Sequence, residues 1–267
     1  MDDSILWRAG TVAHYVDAEY YDQAYRRRSH DKAYYAACAS GRVLELGAGT
    51  GRITLAVADA LSRQEDDAHI VGVESMGTML ERAERRLKKQ PKRVQRRVTF
   101  AEGDFRTLQL GETFDQVIAP FNALMHLYTA EDFEATLDVV RRHLRPGGLF
   151  RFDVLLPDPA ALGRDPSRIY KGKKVTLPST GQRYHYGERF SYDAATQVQM
   201  IEMIFTGVEN SHDVHVVPLA HRQFFPAELR ALLRHSGFEL IAHEGDFDGE
   251  DLDGHAESQL IVARVRD

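Results

Sequence analysis

The stretch Val43–Ile53, VLELGAGTGRI, is the strongest constraint on what this chain folds into. A short apolar run ends in three alternating glycines. It then hands over to Ile53, Val57, Ala60 and Leu61, which repeat at helical spacing, so the segment reads as strand, tight turn and helix. Such a turn puts backbone N–H groups and the positive end of a helix dipole at the carboxyl end of a strand, where a nucleotide-like ligand approaches closely. Spacing discriminates among ligands. The dinucleotide fingerprint is G-x-G-x-x-G, but here the third glycine arrives one residue early, in Gly47-Ala48-Gly49-Thr50-Gly51, and Arg52 stands where that pattern wants Gly or Ala. The phosphate-loop run G-x-x-x-x-G-K-S/T is absent.

The segments that follow keep the alternation. HIVGVE predicts a second strand, and Met76, Leu80, Ala83 and Leu87 form the apolar stripe of a helix. VTFAEGD and FDQVIAP read as strands three and four. The next helix is marked by a capping-box spacing at Thr129 and Asp132, a stripe of Phe133, Leu137, Val140 and Leu144, and an end at Pro146-Gly147-Gly148; LFRFDVLL is a fifth strand. Strands alternating with helices mean parallel pairing, because parallel neighbours need a crossover, and a doubly wound α/β sheet results.

Beyond Leu156 the pattern changes. Residues 156–181 carry four of the nine prolines with no clean periodicity and read as a long irregular connection or lid. RYHYGERFSYD, QVQMIEMIFTGV and DVHVVPLAHRQFF predict an antiparallel meander of three strands, with Tyr184, Tyr186, Phe190 and Tyr192 on one face of the first. The α/β pattern then returns: Pro226 starts a helix that Gly237 closes, and FELIAHEG and SQLIVARV are the last two strands. The acidic loop between them holds seven carboxylates from Glu244 to Glu257, but its glycines do not fit a calcium loop.

Composition narrows the partners. A net charge of -6 disfavours general nucleic-acid binding, which depends on neutralising phosphates. Glu81–Arg97 dissents locally, with nine basic residues against two acidic ones, yet its apolar stripe makes these charges the solvated face of a helix and the loop after it. An RNA-directed role for that segment is the alternative, and a steep salt dependence of RNA binding would separate the two. No apolar run reaches the roughly 20 residues of a membrane span. A single cysteine, Cys38, and an acidic start lacking an export signal point to a reducing, cytoplasmic setting, and no metal site is expected.

Read with Glu45, the turn is E-x-G-x-G-x-G, and the sequence resembles the class I S-adenosylmethionine-dependent methyltransferases. Further positions agree in order. Glu74 ends the second strand, 23 residues after Gly51, where a carboxylate accepts from ribose hydroxyls. Asp104 and Phe105 match the adenine position, and PFNALMH, Pro120–His126, matches the segment lining the methyl-donor and substrate side. RHLRPGG before the fifth strand is a further shared feature. The resemblance covers roughly Gly41–Val154 and Phe225–Val265. The meander insertion and HRQFFPAELRALLRHSGFEL are similar to the bacterial aminosugar and peptide N-terminal N-methyltransferases of natural-product pathways.

This resemblance implies a doubly wound, seven-stranded Rossmann-like sheet over residues 41–155 and 226–267. It also implies N-terminal cap helices over the cofactor in 1–40 and an inserted lid and meander covering the substrate site in 156–225. It implies S-adenosylmethionine as cofactor and S-adenosylhomocysteine as product, held by Tyr21, Glu45, Gly47, Ala48, Gly49, Gly51, Glu74, Ser75, Met76, Asp104, Phe105, Pro120 and Phe121. Tyr21, Asp22 and Tyr25 match a Y-D-x-x-Y pattern lining the methionine end, with Tyr25 a catalytic candidate. His126, just past the fourth strand, is the candidate base. Asn122, Asp153, Tyr184 and Arg222 are candidates for binding the substrate, a small molecule methylated on nitrogen or oxygen by a monomer or homodimer. A cofactor-binding protein without transferase activity is the other alternative. It would bind the cofactor and yield no methylated product.

Overall fold

Apolar strand runs with no alternation demand cover on both faces, and the larger sheet has it. The computed structural model describes residues 15, 17–64, 67–178 and 180–266, which fall into two units. One unit comprises Arg28–Leu156 with the described residues from Phe224 onward; the other comprises Pro157–Gln223 with those up to Arg27. The segment expected as an N-terminal cap therefore lies partly outside the described residues, and its described part divides between the units at Arg27 and Arg28.

In the first unit, β1 (Arg42–Leu46) lies between β2 (His69–Glu74) and β4 (Phe114–Ala119). β3 (Val98–Glu102) flanks β2 and β5 (Leu144–Leu155) flanks β4, all in parallel. Strands β6 (Tyr170–Thr176), β7 (Arg183–Asp193), β8 (Val198–Gly207) and β9 (Val214–Arg222) form the antiparallel sheet of the second unit. The larger sheet is completed by β10 (Phe238–Gly245), β11 (Glu250–Asp251) and β12 (Ser258–Val265), with β12 antiparallel to both β5 and β10. Its order is β11-β10-β12-β5-β4-β1-β2-β3. The expected seven strands are all present, and β11 adds a two-residue edge in the acidic loop.

Each face carries its own core. Leu44, Leu46, Val117, Ala119, Phe150 and Phe152 pack on one side with Leu137, Val140 and Leu229. Val43, Ile70 and Ile118 pack on the other with Tyr35, Ile53, Val57 and Leu61. Thr129 caps the helix Ala130–His143 as its spacing predicted, its hydroxyl accepting from the Asp132 N–H at 3.1 Å. That helix ends earlier than expected: Leu144 already pairs with Phe114, and a register shift absorbs the residues around Pro146-Gly147, which no regular ladder accommodates.

The second unit differs from expectation in one strand. Residues 170–176, read as irregular connection, form edge strand β6. Its lysines face solvent, as suits a sheet edge, so it has no apolar alternation to betray it. The aromatic face expected on β7 is present: Tyr184 and Phe190 are buried, with Tyr186 and Tyr192 half-buried in line with them.

The basic segment spans the helices Gly77–Leu87 and Lys92–Gln95. Several of its cations serve the fold: Arg86 donates to Thr50 Oγ1, Arg93 pairs with Asp59, and Arg97 donates to the Ala68 carbonyl. Among the described residues, no helix is long and apolar enough to cross a membrane, and no group of three or more His, Cys, Asp or Glu is placed to hold a metal.

Candidate active site

In an open parallel sheet the loops after neighbouring strands diverge where the strand order reverses, which here is between β1 and β4. The turn after β1 and the turn after β4 flank that crevice. Gly47, Gly49 and Gly51 all have positive φ, at 75°, 56° and 74°. The turn is pinned to the end of β2, where the Gly47 and Ala48 N–H groups both donate to the Val73 carbonyl at 2.9 and 2.8 Å. Gly51 explains the early third glycine. It heads the helix Arg52–Leu61 in the left-handed region, and a Cβ there would lie 3.0 Å from the Phe100 ring and 3.2 Å from the Ala83 Cβ.

Glu74 closes the loop from the other side. One carboxylate oxygen accepts from the Gly49 N–H and the other from the Met76 N–H, both at 2.8 Å. Burial raises its pKa against the pull of these N–H groups. The Ser75 N–H and hydroxyl also hydrogen-bond this carboxylate, and Ser75 and Met76 are at least partly exposed beside it. Asp104 sits after β3 in a bidentate pair with Arg106, whose other arm reaches Asp132 at 3.1 Å. Phe105 packs on the core against Gly47.

Glu45 lies deeper than a surface ligand, at 2% exposure, bonded to the Thr54 hydroxyl at 2.6 Å. Burial pushes its pKa up to about 8 against the opposing influence of Thr54 and Arg52. The folded protein thus holds the proton to about pH 8, whereas the unfolded chain releases it near 4.5, so stability falls as pH rises between those values. Glu45→Gln keeps a partner for Thr54 and removes this penalty. In thermal denaturation of the cofactor-free protein it should match the parent at pH 4 and exceed it at pH 8, by an amount on the order of a few kcal/mol. A margin that does not change with pH would contradict the assignment.

The turn after β4 is held by a clamp. Phe121 and Asn122 both adopt left-handed backbone, at φ 55° and 62°, which non-glycine residues hold only when surroundings enforce it. Asp153 enforces it twice: its Oδ1 accepts from the Phe121 N–H at 2.8 Å, and its backbone carbonyl from the Asn122 N–H at 3.2 Å. Where a substrate-binding carboxylate was expected, Asp153 is fully buried, with the Tyr35 hydroxyl also donating to Oδ1 at 2.7 Å and Oδ2 left without a partner. Burial raises its pKa. The guanidinium groups of Arg28 and Arg52 lie over the Phe121 ring at 4.8 and 4.9 Å. Both are tied to buried Asp31; burial acts to raise its pKa, but the two arginines win and hold it below the ordinary carboxylate range.

Pro120 is buried, and Asn122 is nearly so, with its Oδ1 lacking a hydrogen-bond partner. His126 ends the single turn Ala123–His126, half-buried, its Nδ1 3.4 Å from the Tyr128 hydroxyl. In the other unit, Tyr21 is buried against Tyr25, with ring centroids 4.8 Å apart. Tyr184 is enclosed, its hydroxyl within hydrogen-bond distance of Gln182 and Asp213, while Arg222 reaches Gln197 Oε1 at 2.7 Å. The structure therefore gathers the glycine turn, Glu74, Phe121, Asn122, Asp153 and His126 in the first unit and leaves Tyr21, Tyr25, Tyr184 and Arg222 in the second. Sequence reasoning missed Arg28, Asp31 and Tyr35. Its one signal for the clamp was Arg52, the residue that breaks the dinucleotide pattern.

Comparison with known proteins agrees with this geometry. Residues 43–148 match the model of a family described as a methyltransferase domain. Over 223 residues the chain is 29% identical to the cypemycin N-terminal methyltransferase of a Streptomyces species, covering 82% of this chain and 81% of that one. It is 26% identical to the dTDP-3-amino-3,4,6-trideoxy-alpha-D-glucopyranose N,N-dimethyltransferase of Streptomyces venezuelae, covering 88% and 95%. The solved structure of the CcbJ methyltransferase from Streptomyces caelestis superposes with a TM-score of 0.73 at 26% identity, covering 90% of each chain. With the strand order, the positive-φ glycine turn and the carboxylate that ends β2, these matches identify an S-adenosylmethionine-dependent methyltransferase similar to the class I enzymes.

Proposed function

We propose that this enzyme methylates an amine nitrogen of a small molecule, or the terminal amine of a short peptide, in natural-product assembly. The observation that carries nitrogen over oxygen is Asn122, whose buried Oδ1 has no hydrogen-bond partner in the turn after β4. An unmatched buried acceptor costs about 1–3 kcal/mol. A neutral amine relieves it with an N–H while its lone pair attacks the methyl, whereas a deprotonated phenol or carboxylate has no hydrogen to give. The names of the two curated relatives, one acting on a peptide N-terminus and one on an amino sugar, support the same reading.

In this reading the cofactor is held by Gly47, Ala48, Gly49 and Gly51, with Glu45 behind them, Glu74 taking the ribose hydroxyls and Ser75 and Met76 beside it. Phe105 flanks the adenine. Asp104 reaches the adenine amino group when Arg106 yields a contact, and an exchange in a partly exposed ion pair costs little. When bound, the cofactor supplies a methyl group on a positively charged sulfur, and the rest is alignment, which contributes up to about 7–11 kcal/mol in favourable cases. Pro120 and the clamped Phe121 fix the methyl-donor side, and Asn122 orients the nucleophile.

An ammonium substrate must first lose a proton, and we assign that role to His126. His126→Ala should lower turnover by about 100-fold or more at pH 7, the low end for a positioned base, with cofactor affinity nearly unchanged and partial recovery at high pH. Normal turnover across the pH range would remove the role. The reading as a whole is tested by incubating the enzyme with deuterium-labelled cofactor and matched panels of amines, phenols and carboxylates. Label appearing on amines is expected, and label confined to oxygen acceptors would overturn it.

A further inference from the structure

Register in the second unit places Tyr184, Tyr186, Glu188, Phe190 and Tyr192 of β7 on one face, opposite Phe205, Met203 and Ile201 of β8. Glu188 is therefore a half-buried carboxylate set in an aromatic and apolar surface, with Tyr170 of β6 on one side and Met203 on the other. The Tyr186 hydroxyl donates to its Oε1 at 2.5 Å. The rings of Tyr186 and Tyr20 both pack on Phe205 with centroids 5.3 Å away, which brings Tyr20 into the same patch. Burial pushes the Tyr20 hydroxyl up to about 12, with Tyr25 and Glu188 adding to the shift, so these groups share one electrostatic environment.

What Glu188 lacks is a cation. Among the described residues no Lys, Arg or His forms an ion pair with it, and its Oε2 receives no hydrogen bond. The nearby charges are committed elsewhere: Arg189 pairs with Glu202, and Arg164 lies over the Phe190 and Tyr170 rings at 4.5 and 5.1 Å. A carboxylate drawn part-way out of water without a partner is costly, and aromatic faces around it attract cations and repel a second anion. An ammonium offers three donors, enough for Oε2 and for neighbouring hydroxyls.

We propose that Glu188, Tyr186 and Tyr20 form a binding site for the protonated amino group of a small aliphatic amine. The ligand class is that of aliphatic amines that are cationic when they bind. Phenols and neutral alcohols of the same shape offer Glu188 one hydrogen bond but no charge, and so bind more weakly.

The site is tested without any methyl transfer. The full chain, labelled with carbon-13 in its tyrosine rings, is titrated at pH 7.5 with cyclohexylammonium chloride and separately with cyclohexanol. Saturable shifts of the Tyr20 and Tyr186 ring signals are expected with the ammonium only. Glu188→Gln should weaken that binding at least tenfold, and Tyr186→Phe, which keeps the charge, should weaken it a few-fold. No saturable shift, equal binding of cyclohexanol, or an unchanged response in Glu188→Gln would each overturn the proposal. If Glu188→Gln does not fold, the ammonium and alcohol titrations of the parent and of Tyr186→Phe decide the matter. Ammonium binding with no methylation of any amine upholds the site and sinks the amine reading; methylated amines with no ammonium binding overturn the site alone.

Discussion

Glu74→Gln is expected to weaken binding of S-adenosylhomocysteine by about 100-fold or more, with the fold retained. A hydrogen bond to a charged acceptor contributes about 1.5–3 kcal/mol, and two ribose hydroxyls sharing one carboxylate exceed the roughly 2.7 kcal/mol that a 100-fold change represents. The geometry makes the amide a poor substitute. Both carboxylate oxygens already accept from backbone, one from Gly49 and one from Met76. Glutamine must turn an N–H₂ group toward one of these N–H donors, so it loses a ribose acceptor and loosens the glycine turn together. Titration calorimetry with the product measures this directly, and circular dichroism confirms the fold. A dissociation constant within threefold of the parent would remove Glu74 from the cofactor site.

The features read correctly from sequence are those written in local periodicity. The crossover pattern that made the sheet parallel survives in the pairing of β1 with β2 and β4, because each strand run and each helix stripe is continuous along the chain. The Thr129 cap was legible for the same reason, since donor and acceptor sit three residues apart. Strand β6 was not: an edge strand with lysines and Gly172 carries no apolar alternation, and Gly172 is needed because a Cβ there would strike the Tyr186 ring, a contact visible only once the strands are paired. The clamp at Phe121 was hidden more deeply. Asp31 meets Arg52 across 21 residues and Tyr35 meets Asp153 across 118, and no spacing rule links such partners. Asp153 alternates along its strand with Phe150, Phe152 and Val154, and nothing in the run LFRFDVLL shows that Tyr35 meets it on its own face.

Asp153 yields the sharpest test of the difference between the expected and observed roles, because two replacements should part company. Asp153→Ala strips the acceptor from two donors, the Tyr35 hydroxyl and the Phe121 N–H, at about 1–3 kcal/mol each when buried. It also frees two residues held in left-handed backbone, so a loss of about 3–5 kcal/mol in stability and a large fall in turnover are expected. Asp153→Asn should behave otherwise. Both native bonds use Oδ1, which asparagine retains, and Oδ2 has no partner to lose. Burial raises the Asp153 pKa, so the folded state holds a proton that the unfolded chain releases, and this residue's contribution to stability declines as pH rises through the carboxylate range. Asparagine lacks that decline. Chemical denaturation at pH 4 and pH 8 should find Asp153→Asn close to the parent at the lower pH and more stable at the higher, with turnover largely kept. If instead asparagine abolishes turnover while the fold and cofactor binding persist, the charge of Asp153 acts on substrate, and its place is at the reaction rather than under the turn that shapes it.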